Sequence, residues 1–242
     1  MRRILIPAAI LLLVVAALPA PAEDKKADDG FVQLFNGKDL TGWKLPENPN
    51  PGTFSEIITV KNGDTVTGYD GKLKKNGEIV HLWRVEDGLI VGSGPSSHLF
   101  SERGDYVNMV YRVEAMINDR GNSGQYFRTK FGPGFPAGYE AQINATHGDP
   151  IRTGSLYPDG RTKLKDHKKE ICVMNVAPHK PDEWFMQEVT AVGNHITIKV
   201  NGKTTVDWAD PDNTYTKGHM ALQGHDPGTV VKFRKIEVKE IK

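Results

Sequence analysis

The sequence predicts an all-β protein, a sandwich or jelly roll of two antiparallel sheets. Apolar residues occur in short runs separated by glycine and proline, and no stretch repeats them at i, i+3, i+4 and i+7 over three turns. The dipeptides at 193–194 (Gly-Asn) and 201–202 (Asn-Gly) have the chemistry of two-residue hairpin turns. Many short strands joined by glycine-rich turns are typical of a sandwich or a jelly roll.

The composition of the chain fits one globular domain. Its 242 residues include 31 Lys+Arg and 30 Asp+Glu, with 38% hydrophobic residues and one cysteine. The ordinary apolar and charged fractions argue against a disordered chain. A single cysteine excludes an internal disulfide framework and a cysteine-based zinc cluster. The near-neutral charge gives no reason to expect nucleic acid as a partner.

Residues 1–22 have the pattern of a cleaved secretory signal peptide. A basic start at 1–3 precedes an apolar stretch at 4–18, and 20–22 (Ala-Pro-Ala) offers small residues at a signal-peptidase site. The apolar stretch is shorter than the ~20 residues that a spanning helix needs. We therefore expect an exported protein, periplasmic or secreted, with no membrane span after cleavage. An uncleaved membrane anchor is the alternative.

The mature chain is predicted to consist of a flexible, charged spacer at 23–30 and a single domain at 31–242. Residues 44–80 are rich in Gly, Pro and Asn and predict an elaborated loop or small hairpin inserted after the first strand. Alternating apolar residues predict the remaining strands at 83–91 (strand, turn, strand), 106–117, 123–129, 138–144, 188–207 (a three-stranded meander), 220–225 and 230–241 (with a bulge near Arg234).

Three of these strands carry an unusual polar face. In the strand at 138–144, Glu140, Gln142 and Asn144 alternate with apolar residues and share one side. If the three strands are neighbours, seven side chains share one surface, namely Glu140, Gln142, Asn144, Gln223, His225, Tyr126 and Arg128. Amides and carboxylates suit sugar hydroxyls, an aromatic ring suits the apolar face of a sugar, and Arg suits a carbonyl or developing oxyanion.

Short motifs along nearly all of residues 31–241 form a family signature. They are FVQLFNGKDLTGW (31–43), WRVEDG (83–88), GNSG (121–124) with Arg128, GYEAQI (138–143), TGSLY (153–157), the meander with its Asn-Gly turn, and Leu222-Gln223 with His225. Together they resemble the 3-keto-disaccharide hydrolase family, also described as 3-keto-glucoside 1,2-lyase/hydratase domains. The resemblance implies a concanavalin A-like lectin/glucanase jelly roll with its ligand on the concave sheet face.

The chain departs from the family pattern at a few positions. The family often has Asp where this chain has Asn144, and Trp-Asn where it has Trp184-Phe185. An Asp is also common in place of Gly224, and here Asp226 follows two places later. Two functions therefore stay open: an exported enzyme that cleaves 3-keto-glycosides by elimination/hydration or net hydrolysis, and a non-catalytic, lectin-like carbohydrate-binding domain.

The polar strand does not suit ordinary glycoside hydrolysis, which uses two carboxylates. In a 3-keto sugar the ketone acidifies the C2 proton, so one base, one acid and an oxyanion stabiliser suffice. We predict Glu140 or His225 as base or acid and Arg128 as oxyanion stabiliser, with a structural Glu140–Arg128 ion pair as the alternative. The predicted substrate-binding residues are Gln142, Asn144, Tyr157, Gln223, Tyr126 and Asn122.

The sequence identifies no metal site and no certain cofactor. No H-E-x-x-H or H-x-H spacing occurs among the eight histidines. A divalent ion on Glu140 and His225 would polarise the keto oxygen, but spacing does not select such a site. The basic run at 161–169 (RTKLKDHKK) is interpreted as a solvated loop. A sugar 3-dehydrogenase is the expected functional partner, because the chemistry requires a 3-keto substrate.

Overall fold

The computed structural model describes residues 30–242 and contains mostly β-strands. A short 3-10 turn at Lys163–His167 and a one-turn helix, α1, at Lys168–Ile171 interrupt the strands. In chain order the strands are β1 Val32–Gln33, β2 Trp43–Lys44, β3 Phe54–Asn62, β4 Thr65–Leu73, β5 Ile79–Glu86, β6 Leu89–Gly92, β7 Ser97–Ser101, β8 Met109–Ile117, β9 Ser123–Thr129, β10 Tyr139–Ile143, β11 Phe185–Val192, β12 His195–Val200, β13 Lys203–Ala209, β14 His219–Gly224 and β15 Val231–Glu240.

The strands form two antiparallel sheets. The ten-stranded sheet has the order β13-β12-β11-β8-β15-β6-β5-β4-β3, and β1 pairs with β15. The five-stranded sheet has the order β10-β9-β14-β7-β2. The predicted all-β class with two antiparallel sheets is confirmed. Strands that are distant in sequence, such as β8 and β15, are neighbours in the sheet, as in a jelly roll.

The ten-stranded sheet follows the alternation of its sequence. In β8 every second residue is buried, from Met109 to Ile117, and the residues between them are half-buried. The predicted meander is formed by β11, β12 and β13, which pair in sequence. The register of β15 against β8 shifts between Phe233 and Lys235, where a bulge was expected.

Residues 44–80 are more regular than the sequence suggested. Strands β3 and β4 are nine residues each and pair as a long hairpin, and β4 continues into β5 through a second hairpin. The hairpin alternative is therefore the observed one. Its frequent glycines had hidden the strand pattern, since Gly68 and Gly71 lie inside β4 where a Cβ atom would overlap neighbouring groups.

The core lies between the two sheets. From the five-stranded sheet, Phe127 and Tyr139 stack at 5.2 Å between ring centroids and are fully buried. From the ten-stranded sheet, Val113, Val189 and Phe233 are buried as well. These apolar residues of the five-stranded sheet thus face the core, and polar residues of β9, β10 and β14 lie on the opposite, outer face.

The predicted signal peptide at 1–22 and all but the last residue of the predicted spacer at 23–30 lie outside the described residues. Within residues 30–242, no helix has the length and hydropathy needed to cross a membrane.

Candidate functional site

The outer face of the five-stranded sheet places the predicted polar residues side by side. Glu140 on β10 is opposite Tyr126 on β9, which is opposite Ala221 on β14. Two residues further along β10, Gln142 is opposite Gly124 of β9. On the other side of β14, Gln223 is opposite His98 of β7. Because side chains alternate along each strand, these residues all point away from the core.

A cavity of about 400 Å³ lies over this face. Its size falls within the range of small-molecule sites. Seven of the nine predicted site residues line it, namely Asn122, Tyr126, Glu140, Gln142, Tyr157, Gln223 and His225. The structure therefore brings these seven together, and their roles stay predictions.

Glu140 is the buried carboxyl group of the cavity, with 8% of the residue exposed. The Tyr126 hydroxyl donates to its Oε2 at 2.6 Å, and the Gln223 amide donates to the Tyr126 hydroxyl at 3.1 Å. Burial, reinforced by the nearby carboxylates of Asp149 and Asp159, raises the pKa of Glu140 to about 8 against the effect of these hydrogen bonds. A carboxyl group in this state can act as acid or base near neutral pH.

The absence of a side chain at Gly124 makes room for Glu140. A Cβ atom at this position would lie 2.3 Å from Oε1 of Glu140. Gly124 lies in the interior of β9, where glycine usually weakens a strand, so its presence has a local reason. The close approach of the carboxyl group to the β9 backbone is that reason.

Several buried polar atoms of the cavity have no hydrogen-bond partner. They include Oδ1 of Asn122, Oε1 of Gln142 and Oε1 of Gln223. Buried polar groups are normally paired, so a group of unpaired acceptors around one cavity indicates a ligand that donates hydrogen bonds. Sugar hydroxyls are such donors.

His225 forms a hydrogen-bonded pair with its neighbour at the edge of the cavity. Its Nδ1 lies 3.0 Å from Oδ2 of Asp226, and Oδ1 of Asp226 accepts the amide of Gly228 at 2.9 Å. A carboxylate only accepts hydrogen bonds, so Nδ1 of His225 carries the proton and Nε2 is left for another partner.

One group among the described residues could hold a metal ion. His147, His225 and Asp226 offer ligand atoms that all lie within 4.8 Å of one another. However, Nδ1 of His147 accepts the amide of Asp149 at 3.0 Å, so the neutral ring carries its proton on Nε2, the nitrogen that faces Asp226 at 3.8 Å. A cation on Nε2 would require the His147 ring to give up that hydrogen bond.

Arg128 lies outside the cavity, so its predicted place beside Tyr126 is wrong. Its Nε donates to the carbonyl of Val107 at 2.8 Å, and one terminal nitrogen donates to the carbonyl of Gly193 at 2.7 Å. The φ angle of Arg128 is 52°, and the pairing of β9 with β14 is irregular there. Alternation of faces holds only for extended backbone, and this residue breaks it. The alternative of a structural Glu140–Arg128 ion pair is absent as well.

Asn144 also has a different role from the predicted sugar contact. Its amide donates to the carbonyls of Asp149 and Ile151 at 3.0 and 2.8 Å, and its Oδ1 accepts the amide of His147 at 2.9 Å. Asn144 is fully buried and lies just after β10. It fixes the loop that follows β10 instead of facing the cavity.

Arg161 lines the cavity, although its basic run was interpreted as a solvated loop. Its guanidinium pairs with Asp159 at 2.8 and 3.0 Å and donates to the carbonyls of Phe135 and Pro136, each at 2.8 Å. It thereby ties the 159–161 turn to the segment before β10. Local sequence patterns do not indicate this contact, because residues from two distant loops meet here.

An aromatic wall was missed as well. Phe135 lines the cavity with 48% of its surface exposed, and its ring lies 5.7 Å from that of His225 and 5.5 Å from that of His98. An exposed ring in a polar cavity can stack against the apolar face of a sugar. Burial lowers the pKa of His98 to about 3, so this ring is neutral.

The fold places the chain in the class of jelly-roll domains, with a polar cavity on the outer face of the smaller sheet. Two solved structures of candidate glycosyl hydrolases from Parabacteroides distasonis ATCC 8503 resemble the chain. One is 24% identical (TM-score 0.56, 88% of this chain and 94% of that chain), the other 18% identical (TM-score 0.56, 87% and 99%). A mutant Emp46p carbohydrate recognition domain is 9% identical (TM-score 0.51, 83% and 88%). At these identities the likeness shows the fold alone.

The family follows from the sequence comparison. The profile of the 3-keto-alpha-glucoside-1,2-lyase-like domain matches residues 30–239, and the chain belongs to this family. The resemblance seen in the motifs is therefore confirmed. No curated protein matched the chain.

Proposed function

We propose that this protein cleaves the glycosidic bond of 3-keto-glycosides by eliminating the C1 substituent and then hydrating the product. The proposal depends on one observation, a single buried carboxyl group, that of Glu140, in a cavity with three unpaired amide oxygens. The amide oxygens suit sugar hydroxyls. Ordinary glycoside hydrolysis needs a second available carboxylate, and the other one that lines the cavity, Asp159, is bonded to Arg161 and Tyr215. Membership of the 3-keto-alpha-glucoside-1,2-lyase-like family supports the same substrate class.

In this proposal Glu140 is the base that removes the C2 proton. The raised pKa of Glu140, which results from burial, makes its ionised form a stronger base than an exposed carboxylate. The hydroxyl of Tyr126, 2.6 Å from Oε2, holds the carboxylate in position. In this proposal the second oxygen, Oε1, takes the proton.

His225 is the acid for the departing oxygen in the same proposal. Asp226, 3.0 Å from Nδ1, accepts a hydrogen bond from this nitrogen and orients the ring, so that the imidazolium form presents Nε2–H to the departing oxygen. With Arg128 outside the cavity, Arg161 is the guanidinium that lines it, and Nη1 of Arg161 keeps one N–H beyond the bonds to Asp159 and the two carbonyls. In this proposal that N–H faces the negative charge on the former ketone oxygen. Phe135 supplies the ring against which the sugar stacks.

The steps balance without a further reactant except water. Removal of the C2 proton moves its electron pair into a C2–C3 double bond and puts negative charge on the ketone oxygen. Collapse of this enediolate forms a C1–C2 double bond, restores the ketone and expels the C1 oxygen, which takes a proton from His225. Water then adds to C1 while C2 regains a proton, and the product is the free 3-keto sugar.

The test compares a nitrophenyl 3-keto-glucoside with its parent glucoside in D₂O. We expect nitrophenol release from the keto sugar only, and deuterium at C2 of the sugar product, because elimination exchanges that proton. Cleavage that leaves hydrogen at C2 would contradict the elimination. In a parallel assay with EDTA, a rate that falls and is restored by a divalent cation would show that cleavage needs a metal, for which the group of His147, His225 and Asp226 is the candidate site.

The alternative is a carbohydrate-binding domain without catalysis. The unpaired oxygens of Asn122, Gln142 and Gln223 favour it equally, because binding needs only donors and acceptors. Calorimetry with the same sugars separates the two functions. Binding of either sugar without nitrophenol release would support the binding domain and contradict the enzyme.

Export and a supply of substrate complete the proposal. The signal-like residues 1–22 support export, which N-terminal sequencing of the mature protein would test. The substrate carries a ketone at C3, so an enzyme that oxidises the C3 hydroxyl of a glycoside must act first. We propose a sugar 3-dehydrogenase as this functional partner.

A further inference from the structure

A second cavity, of about 840 Å³, lies beside the first, and His225 lines both. The 44–80 insertion forms much of its wall, through Thr53 before β3 and the turn that joins β4 to β5. The turns around Ser96 and after His225 close the other side. His225 is therefore common to the linings of the two cavities.

The lining of the second cavity mixes hydrogen-bonding and apolar groups. Asn50, Thr53 and Ser96 offer neutral donors and acceptors, and Leu73 and Val80 offer an apolar surface. This mixture suits a sugar ring, which presents hydroxyls at its edge and C–H groups on its face. The exposed Lys74, Lys75 and Glu78 lie in the turn that joins β4 to β5. Because they carry charges of both signs, the lining does not indicate an anionic ligand.

The position of His225 relates the second cavity to the reaction. In the proposed function, the keto sugar occupies the first cavity and His225 gives a proton to the oxygen on C1. The group bonded to that oxygen must therefore extend past the His225 ring. The second cavity is the neighbouring space that His225 also lines.

We propose that the second cavity is the leaving-group subsite, that it binds a second sugar ring, and that the 44–80 insertion builds it. This inference rests on the proposed function for the direction of cleavage. It makes the insertion the part of the chain that selects the leaving group. The keto-sugar cavity, built on β9, β10 and β14, then selects the sugar that is cleaved.

The experiment fills the second cavity without touching the first. Thr53→Trp places a large ring in the space, and Ser55→Trp is the matched control, because Ser55 is exposed two residues away and does not line the cavity. The substrates are a 3-keto-disaccharide of two glucose units and methyl 3-keto-glucoside. We expect Thr53→Trp to lose about tenfold or more in kcat/KM on the disaccharide, the order of a lost subsite contact, and less than about twofold on the methyl glycoside.

Ser55→Trp should change neither value. An equal loss on both substrates, or no loss on the disaccharide, would overturn the proposal. Circular dichroism and thermal melting check that Thr53→Trp is folded. Asn50→Ala is a second, smaller change, for which we expect a loss of a few fold on the disaccharide only.

Binding separates failure of this inference from failure of the proposed function. If neither 3-keto substrate is cleaved, the proposed function fails, and calorimetry still compares the parent disaccharide with methyl glucoside. Tighter binding of the disaccharide, lost in Thr53→Trp, would support a second sugar subsite in a binding domain. If cleavage occurs and Thr53→Trp leaves the ratio of the two kcat/KM values unchanged, the subsite inference alone fails.

Discussion

The two sheets of the molecule differ in how deeply the residues on their outer faces are buried. In β8 of the ten-stranded sheet, buried residues alternate with half-buried ones, so one face meets solvent. In β9 and β10 of the five-stranded sheet, every residue is buried, on both faces. The second sheet therefore keeps polar side chains such as Glu140 away from water, which strengthens electrostatic effects and shifts pKa values.

The loops over the five-stranded sheet cause this difference. Arg161 donates to the carbonyls of Phe135 and Pro136 and so joins two loops above the polar face. The Asn144 amide donates to two carbonyls of the loop that follows β10 and so fixes this loop. The same strand alternation therefore gives a solvated surface in one sheet and a buried polar site in the other, depending on whether loops cover the face.

The strongest loss of kcat/KM is expected when the carboxyl group of the five-stranded sheet is changed, and a carboxyl group of the ten-stranded sheet serves as the control. Glu140→Gln should lower kcat/KM on a 3-keto-glucoside by about 10²–10⁴-fold, because it removes the proposed base. Glu188→Gln, on β11 of the ten-stranded sheet, is the matched control and should keep the wild-type value. Steady-state assays of both variants make the measurement. Full activity of Glu140→Gln would rule out its role as base.

The second effect is on the pH dependence of stability. The pKa of Glu140 is about 8 in the folded state because the group is buried, against an ordinary value of 4.5. Between these values the folded state binds more protons than the unfolded state, so the free energy of unfolding falls as pH rises, by up to about 1.4 kcal/mol per pH unit. Glu140→Gln lacks this contribution.

Urea unfolding at several pH values between about 5 and 8 measures the difference. We expect Glu140→Gln to gain stability relative to the wild type as pH increases, and Glu188→Gln to follow the wild type. Parallel curves for Glu140→Gln and wild type would show that Glu140 titrates normally in the folded protein.

A smaller effect should follow from filling the space beside Glu140. Gly124→Ala places a Cβ atom 2.3 Å from Oε1, so the carboxyl group must move, and we expect a loss of about tenfold in kcat/KM. Gly132→Ala is the control, since no atom lies within 4 Å of its added Cβ. Kinetic assays of the two variants test the close approach. Equal activities would show that the carboxyl group need not lie against β9.

The smallest expected effect is a shift in a pH profile. The Tyr126 hydroxyl lowers the pKa of Glu140 by donating to it, against the larger effect of burial. Tyr126→Phe removes this donor, so the pH at which kcat/KM rises should move upward by about one unit or less. Rates measured from pH 6 to 10 would detect it. An unchanged profile with a lower plateau would mean that Tyr126 only packs against the site.

The sequence was sufficient for the extended parts of the fold. The meander, the bulge in β15 and the shared face of Glu140 and Gln142 follow from alternation and turn chemistry, which depend on neighbouring residues. The hairpin of β3 and β4 was harder to see, since glycines inside a strand do not show whether the backbone is extended.

Alternation and short motifs were enough to predict the fold class, the family and most of the polar face, because strand alternation is a local property of extended backbone. Two features could be seen only in three dimensions: Arg128, with its left-handed φ, turns away from the polar face, and Arg161 meets Phe135 over the cavity that Glu140 lines. These positions depend on contacts between distant loops. Burial of Glu140, and hence its raised pKa, arises from the same packing.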